Sequence, residues 1–288
     1  MANVVNSTDD YRFWRDQKLA KIAPNIEACL VEVNNPKCLS AAEKSQIITL
    51  CREQNFALFQ TPNQMDYESS MIGFNQQLGL KNFDQHLYAK NQGLAHITQT
   101  EQKDQAEFIP YTDRAIGWHT DGYYNAPENR IRAFSLFCVN PAQSGGENQW
   151  IDHQLVYLLL REQDPEIAKA LTHPKAMSIP QHVVDGAIRR ATSTGPIFFI
   201  DETSKQLSMR YTQRKKHIEF YNSIEIKQAV DTLDQLLANN TSARFSYTMK
   251  ANQGLVCNNI LHKRSAFTDD NAKNPRLMLR GRYFNHVH

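Results

Sequence analysis

The stretch Gly117–Asn125, GWHTDGYYN, sets an imidazole and a carboxylate two positions apart among aromatic residues. Along an extended segment side chains alternate faces, so His119 and Asp121 point the same way. One nitrogen and one oxygen ligand then converge on one point. With 10 histidines and 30 acids in the chain, an H-x-D pair also arises by chance. The pair alone leaves a metal ion and a plain surface both open. A third residue raises the odds of a metal. His262, in LVCNNILHKRSAF, stands just past the short apolar strand expected at 254–259. Two histidines and one carboxylate make the facial triad that suits Fe(II), with the opposite face open for a co-substrate and dioxygen.

The chain has 288 residues, 41% of them hydrophobic, enough for one large domain with insertions. Its 32 basic and 30 acidic residues nearly balance, which gives no reason to expect nucleic acid or membrane as partner. No apolar run approaches the roughly 20 residues of a membrane span. The start, MANVVNSTDDYRFWRDQ, has no basic lead and no apolar signal core, so a cytoplasmic protein is expected. Cys29, Cys38, Cys51, Cys138 and Cys257 are odd in number, widely spaced and free of CxxC pairs. They are expected as buried small apolar residues rather than a disulfide framework or a zinc site.

Ser40-Ala-Ala-Glu43 matches a capping box and opens a helix to about Arg52. Further helices are expected at 68–79, at 151–163 and at 223–239, the last with Ile226, Val230, Leu233 and Leu237 as its apolar stripe. Strands are expected at 56–60, 93–100, 130–139, 196–202, 206–212, 245–250, 254–259 and 276–284. Strands dominate the centre and the C-terminal part, without regular strand–helix alternation and without GxGxxG or GxxxxGK[ST]. A parallel nucleotide-binding sheet is disfavoured. The expected fold is mainly β with inserted helices, a jelly roll decorated by helices. The polar segment 101–116 and the segment 175–195 read as loops.

A 2-oxoglutarate co-substrate would need a cation for its far carboxylate, ideally the forked guanidinium of arginine. RLMLRGRYF supplies Arg276, Arg280 and Arg282 at one parity, with Leu277, Leu279, Gly281 and Tyr283 at the other. From parity alone, the arginine face either lines an anion-binding cavity or meets solvent. Tyr123 and Tyr124 follow the metal motif directly, and one of them can line the pocket while the other packs. His96, on the strand before the motif, is either a substrate contact or a satisfied structural histidine. The most basic run, Arg210 to His217, reads as a solvated strand end, or as bringing Arg210 to an anionic substrate.

Four segments in one order, WHTDG (118–122), SGGENQW (144–150), NNILHKRSAF (258–267) and PRLMLRGRYF (275–284), resemble the taurine dioxygenase and clavaminate synthase group of Fe(II)/2-oxoglutarate-dependent oxygenases. The similarity spans about residues 110–284. It implies a distorted double-stranded β-helix. One oxygenase domain over 1–288 is then expected, with 1–92 as an N-terminal elaboration and 93–288 as the core. It implies His119, Asp121 and His262 as iron ligands and Arg276 on the far carboxylate of 2-oxoglutarate. It implies Arg280 on an anionic group of the prime substrate. Asn148 stands where the family has a threonine that also holds 2-oxoglutarate, and an amide can donate as a hydroxyl does. The implied reaction uses O2 and 2-oxoglutarate to hydroxylate or otherwise oxidise an unactivated C–H bond of a small anionic metabolite, such as an amino acid or derivative. Succinate and CO2 are the co-products. Ala115, Ile116 and Gly117 stand where taurine dioxygenase has a polar substrate contact, which speaks against taurine. A carboxylate at 121 speaks against halogenation. A non-catalytic metal-binding jelly roll and an oxygenase acting on protein or tRNA are the alternatives. Arg276 argues against the first, since a pure metal binder has no use for a carboxylate clamp. A homo-oligomer is left open.

Overall fold

The computed structural model describes residues 7–63, 66–85, 93–100, 108–184, 186–214, 216–239, 241, 243–269 and 274–288. Residues 101–107 of the expected 101–116 loop lie outside the described residues, as do Asp185 of the 175–195 segment and Lys215 of the basic run. The chain divides into two compact units, each drawn from three stretches of sequence. One comprises Met1–Ala20, Gly117–Arg130 and Ile151–Arg244, the other Lys21–Ile116, Ile131–Trp150 and Phe245–His288.

The second unit is built on a six-stranded sheet. Its order is Leu30–Glu32, Phe56–Gln60, Gln253–Cys257, Ala133–Asn140, Leu277–Tyr283 and Leu94–Ile97. The first pair is parallel and the remaining pairs are antiparallel. A four-stranded sheet runs Arg244–Tyr247, Asn148–Ile151, Leu261–Arg264 and Ile116–His119. Alternation along the six strands sends Phe56, Phe134, Cys138, Leu255, Cys257 and Met278 to one face, where they pack with Trp150 and Phe245. The Phe56 ring meets Trp150 and Phe245 edge-on at 5.3 and 5.2 Å, an arrangement aromatic quadrupoles favour. The opposite face carries Phe59, Phe137, Val256 and Leu279. These pack on Ile47 and Cys51 of helix Ala41–Gln54 and on Met71 and Phe74 of helix Tyr67–Gln77. Two sheets closing on an aromatic core, with helices on the outer face, make the expected decorated jelly roll.

Helix Ala41–Gln54 starts at the expected box. Ser40 Oγ accepts from the Glu43 amide, and Glu43 returns a bond from the Ser40 amide at 2.7 Å. The Glu43 carboxylate also accepts from the Asn34 amide at 2.7 Å, and these bonds hold it below the usual carboxylate range. Four cysteines are buried and all five are free, but Cys38 is exposed, contrary to the expectation. It lies in a polar turn ahead of the helix, not on an apolar face.

The first unit holds helices Thr8–Leu19, His153–Gln163, Pro165–Ala170 and Ile224–Ala238 with short antiparallel strands. The Ile226, Val230, Leu233 and Leu237 stripe is buried as its spacing requires. Helix Thr8–Leu19 escapes a periodicity reading because its buried stripe is Tyr11, Trp14 and Lys18. Lys18 buries its stem and reaches Asp152, whose side chain also caps helix His153–Gln163 by accepting from the Gln154 amide at 2.8 Å. Both members of this ion pair are under a tenth exposed. Removing one partner of a buried pair strands the other charge, at about 3–5 kcal/mol. Lys18→Met is therefore expected to lower the thermal midpoint by roughly 10 °C. An unchanged midpoint in a melting scan would show that the pair contributes nothing. No helix among the described residues is long and apolar enough to cross a membrane.

Candidate metal and co-substrate site

Strand Ile116–His119 ends at the first candidate ligand, and the chain turns at once. Residues 121–124 form a turn in which Gly122 takes φ +65°, a left-handed value that glycine adopts without strain. The alternation argument thus holds only as far as His119, and the turn places Asp121. Residues 211–213 clamp this segment. Tyr211 O accepts from the Thr120 amide at 3.0 Å, Thr120 Oγ1 accepts from the Tyr211 amide at 3.1 Å, and Trp118 O accepts from the Gln213 amide at 2.8 Å. Trp118 Nε1 donates to Leu237 O at the end of helix Ile224–Ala238.

The two histidines are oriented by one device used twice. His119 Nδ1 lies 2.9 Å from Gly117 O, and His262 Nδ1 lies 2.9 Å from Ile260 O, each two residues upstream. A carbonyl only accepts, so each Nδ1 carries the proton and each Nε2 keeps its lone pair, the tautomer a metal requires. His119 Nε2 is 3.8 Å from Asp121 Oδ1. Ligand atoms of His119, Asp121 and His262 all lie within 4.8 Å of one another, the only such group of three among the described residues. Small side-chain rotations would bring all three onto one cation. The donor set, two neutral imidazoles and a carboxylate, fits Fe(II). The Phe134 ring packs 4.6 Å from the His262 ring and covers that imidazole.

The parity question on Leu277–Tyr283 is settled by the core. Leu279 and Tyr283 belong to the helix-covered face, and Met278 to the inner face with Phe134 and Cys138. Arg276, Arg280 and Arg282 share Met278's parity, and Arg280 pairs in register with Leu136 and Ala95 of that inner face. The arginines therefore point inward. Arg282 is neutralised by Asp84. Arg276 is 4% exposed, makes no ion pair, and its Nη1 is buried with no hydrogen-bond partner among the described residues. A buried guanidinium with an unmet donor is costly. A carboxylate in bidentate contact would remove that cost, so this arginine fits the far end of 2-oxoglutarate. Gly146, at φ +71°, borders Arg276: a Cβ there would sit 3.7 Å from its Nε, an ordinary contact. Asn148 is buried beside it, and its Nδ2 donates to Gly146 O at a long 3.3 Å.

Arg264 and Phe267 were not anticipated. Both guanidinium carbons, of Arg264 and of Arg276, lie 4.8 Å from the centre of the Phe267 ring. Arg264 donates to the carbonyls of Pro110, Thr112 and Arg114 and so ties down 110–114. Burial, and then the Arg276 charge, push its guanidinium down to about 9. The available signal was its place two residues after His262, on the same side of the strand.

Two expected substrate contacts need correction. His96 pairs in register with Leu279, on the helix-covered face rather than with Arg280, and its Nε2 lies 2.6 Å from Glu68 Oε1. This placement favours the structural reading of His96. Arg210 is neither solvated nor available to an anion. It is 6% exposed and donates to Tyr123 O at 2.6 Å, Met177 O at 3.0 Å and Ser193 O at 2.8 Å. Tyr123 is buried, its hydroxyl 3.1 Å from Arg214 Nη1.

Residues 18–282 match the family model described as taurine catabolism dioxygenase TauD, TfdA family. Among curated proteins, a uridine-5'-phosphate dioxygenase of Streptomyces sp is 28% identical over 194 residues, covering 66% of this chain and 68% of that protein. An asparagine oxygenase solved with Fe(II), 2S,3S-3-hydroxyasparagine and succinate superposes with a TM-score of 0.63 at 12% identity, covering 85% of this chain and 80% of that one. A taurine dioxygenase from Burkholderia xenovorans superposes with a TM-score of 0.57 at 15% identity, covering 88% and 85%. At such identities the two structures speak for the fold.

Proposed function

The chain belongs to the taurine catabolism dioxygenase TauD, TfdA family and is an Fe(II)- and 2-oxoglutarate-dependent dioxygenase; within that class we propose that His119, Asp121 and His262 hold the iron, that Arg276 and Asn148 hold 2-oxoglutarate, and that the prime substrate is a small anionic metabolite. The observation that carries the site reading is the convergence of the three ligand side chains. Bound iron, with 2-oxoglutarate and dioxygen, supplies the oxidising power for C–H cleavage, with succinate and CO2 as co-products.

The residues do the rest. The carbonyls of Gly117 and Ile260 fix both imidazoles so that no proton has to leave Nε2 on metal binding. Arg276 offers a two-pronged donor in a site from which water is excluded, where a charge-assisted bond is strongest. Asn148 can exchange its long bond to Gly146 O for one to the ligand. Arg280, on the inner face, supplies a positive charge for the substrate. Taking the anion first from the curated relative, uridine 5'-phosphate heads the substrate panel, with amino acids second.

The test is succinate formation from 2-oxoglutarate by the purified chain with Fe(II), ascorbate and air. Chelation is expected to abolish turnover, and added Fe(II), but not Zn(II), to restore it. Turnover that survives exhaustive chelation would end the proposal.

A further inference from the structure

Four side chains of the first unit form a group that neither the metal nor the fold uses up. Tyr123 and Tyr124 stand edge to face with ring centres 5.1 Å apart. The Arg190 guanidinium carbon lies 5.6 Å from the centre of the Tyr124 ring, and Arg214 Nη1 donates to the Tyr123 hydroxyl at 3.1 Å. A guanidinium has five N–H donors. Arg190 spends two, on Ala191 O and Pro180 O, and Arg214 spends one. Neither is ion-paired with a carboxylate among the described residues. Because the Tyr123 oxygen accepts from Arg214, its own proton remains to be donated. The buried Arg210 is close enough to Arg190 for the two charges to repel. Positive groups gathered without a counter-charge favour an incoming anion.

We propose that Arg190 and Arg214, with the Tyr123 and Tyr124 rings between them, recognise a phosphate monoester on a ring-bearing prime substrate. A carboxylate is satisfied by a single arginine fork. A tetrahedral dianion presents oxygens on several sides and takes donors from two guanidiniums and a phenol at once. The half-buried Tyr124 ring, backed by the buried Tyr123 ring, offers an aromatic surface to a planar ring. Position links the group to the chemistry: Tyr123 is two residues from Asp121, at most about 7 Å of chain. Arg210 Nε fixes the Tyr123 carbonyl at 2.6 Å. The basic run around 210–217 thus does meet an anion, but through Arg214. This assignment rests on the reading of the chain as an oxygenase of small anionic metabolites.

The experiment measures binding of uridine 5'-monophosphate, uridine and inorganic phosphate to the full chain loaded with Fe(II) and 2-oxoglutarate under anaerobic conditions. The wild type is expected to favour the monophosphate over uridine by roughly 30-fold or more, in line with a desolvated charge pair. Arg190→Met and Arg214→Met are each expected to cut that preference about tenfold and to leave uridine affinity within about twofold. Inorganic phosphate should bind the wild type and not the double variant. If Arg190→Met fails to fold, the exposed Arg214→Met carries the test. Equal affinity for monophosphate and uridine, a preference that survives both substitutions, or no binding of monophosphate or phosphate overturns the proposal. Succinate formation is then followed in the same preparation after air is admitted. If it is absent while the phosphate preference is present and lost in the variants, the oxygenase reading fails and the anion site stands.

Discussion

Asp121→Ala is expected to strip the protein of Fe(II) and to lower 2-oxoglutarate turnover by well over the 10- to 100-fold that loss of a mere supporting partner costs. The side chain is 5% exposed and supplies the only anionic ligand in the group of three. Two neutral imidazoles leave both charges of the ion uncompensated, and imidazole alone does not select iron over other divalent metals. The alanine variant is also expected to fold. The expected signature is therefore a split one: metal content measured after gel filtration falls to background and succinate formation disappears, while the variant still melts cooperatively. A variant that keeps stoichiometric iron and half its turnover would remove Asp121 from the site.

The residues proposed to hold the metal are legible in the sequence, because the H-x-D spacing is short and the donor chemistry is distinctive. The sequence shows less of which way side chains point on long strands. The parity of Arg276, Arg280 and Arg282 was plain, but the side of the sheet that is interior depends on Trp150 and Phe245, more than thirty residues from the strand. His96 shows the same limit from the other direction. It precedes the metal motif along the chain, yet its register partner Leu279 puts it under the helices beside Glu68. Arg210 sits in the most basic run, which composition reads as solvated. In the fold its guanidinium gathers three carbonyls from separate segments, contacts no local pattern can announce. Arg214, four residues on and exposed, is hidden in the same run.

Arg276→Met is expected to raise the KM for 2-oxoglutarate by roughly 30- to 3,000-fold. That range converts the about 2–5 kcal/mol lost when one member of a buried charge pair is truncated, at 1.4 kcal/mol per decade. Methionine roughly conserves the length and bulk of the stem, so the change removes the fork and little packing. What separates a ligand clamp from a structural arginine is the sign of the effect on the protein without co-substrate. A structural guanidinium is bonded to the protein, and its loss destabilises. Among the described residues Arg276 has no ion pair and its Nη1 is buried without a partner, and burial pulls its proton affinity down more than the nearby Cys138 and Asp269 raise it. Against this stands its contact with the Phe267 ring, about 0.5–2 kcal/mol for a cation over an aromatic face. Removing a buried donor that has no partner relieves a desolvation cost of about 1–3 kcal/mol or more. The balance favours an equal or higher midpoint for the variant alone. Added 2-oxoglutarate, which should raise the wild-type midpoint by mass action, should leave that of the variant unmoved. A variant that melts earlier than wild type and still responds to 2-oxoglutarate would make Arg276 a scaffold residue and return the co-substrate's far carboxylate to another cation, with Arg280 first in line.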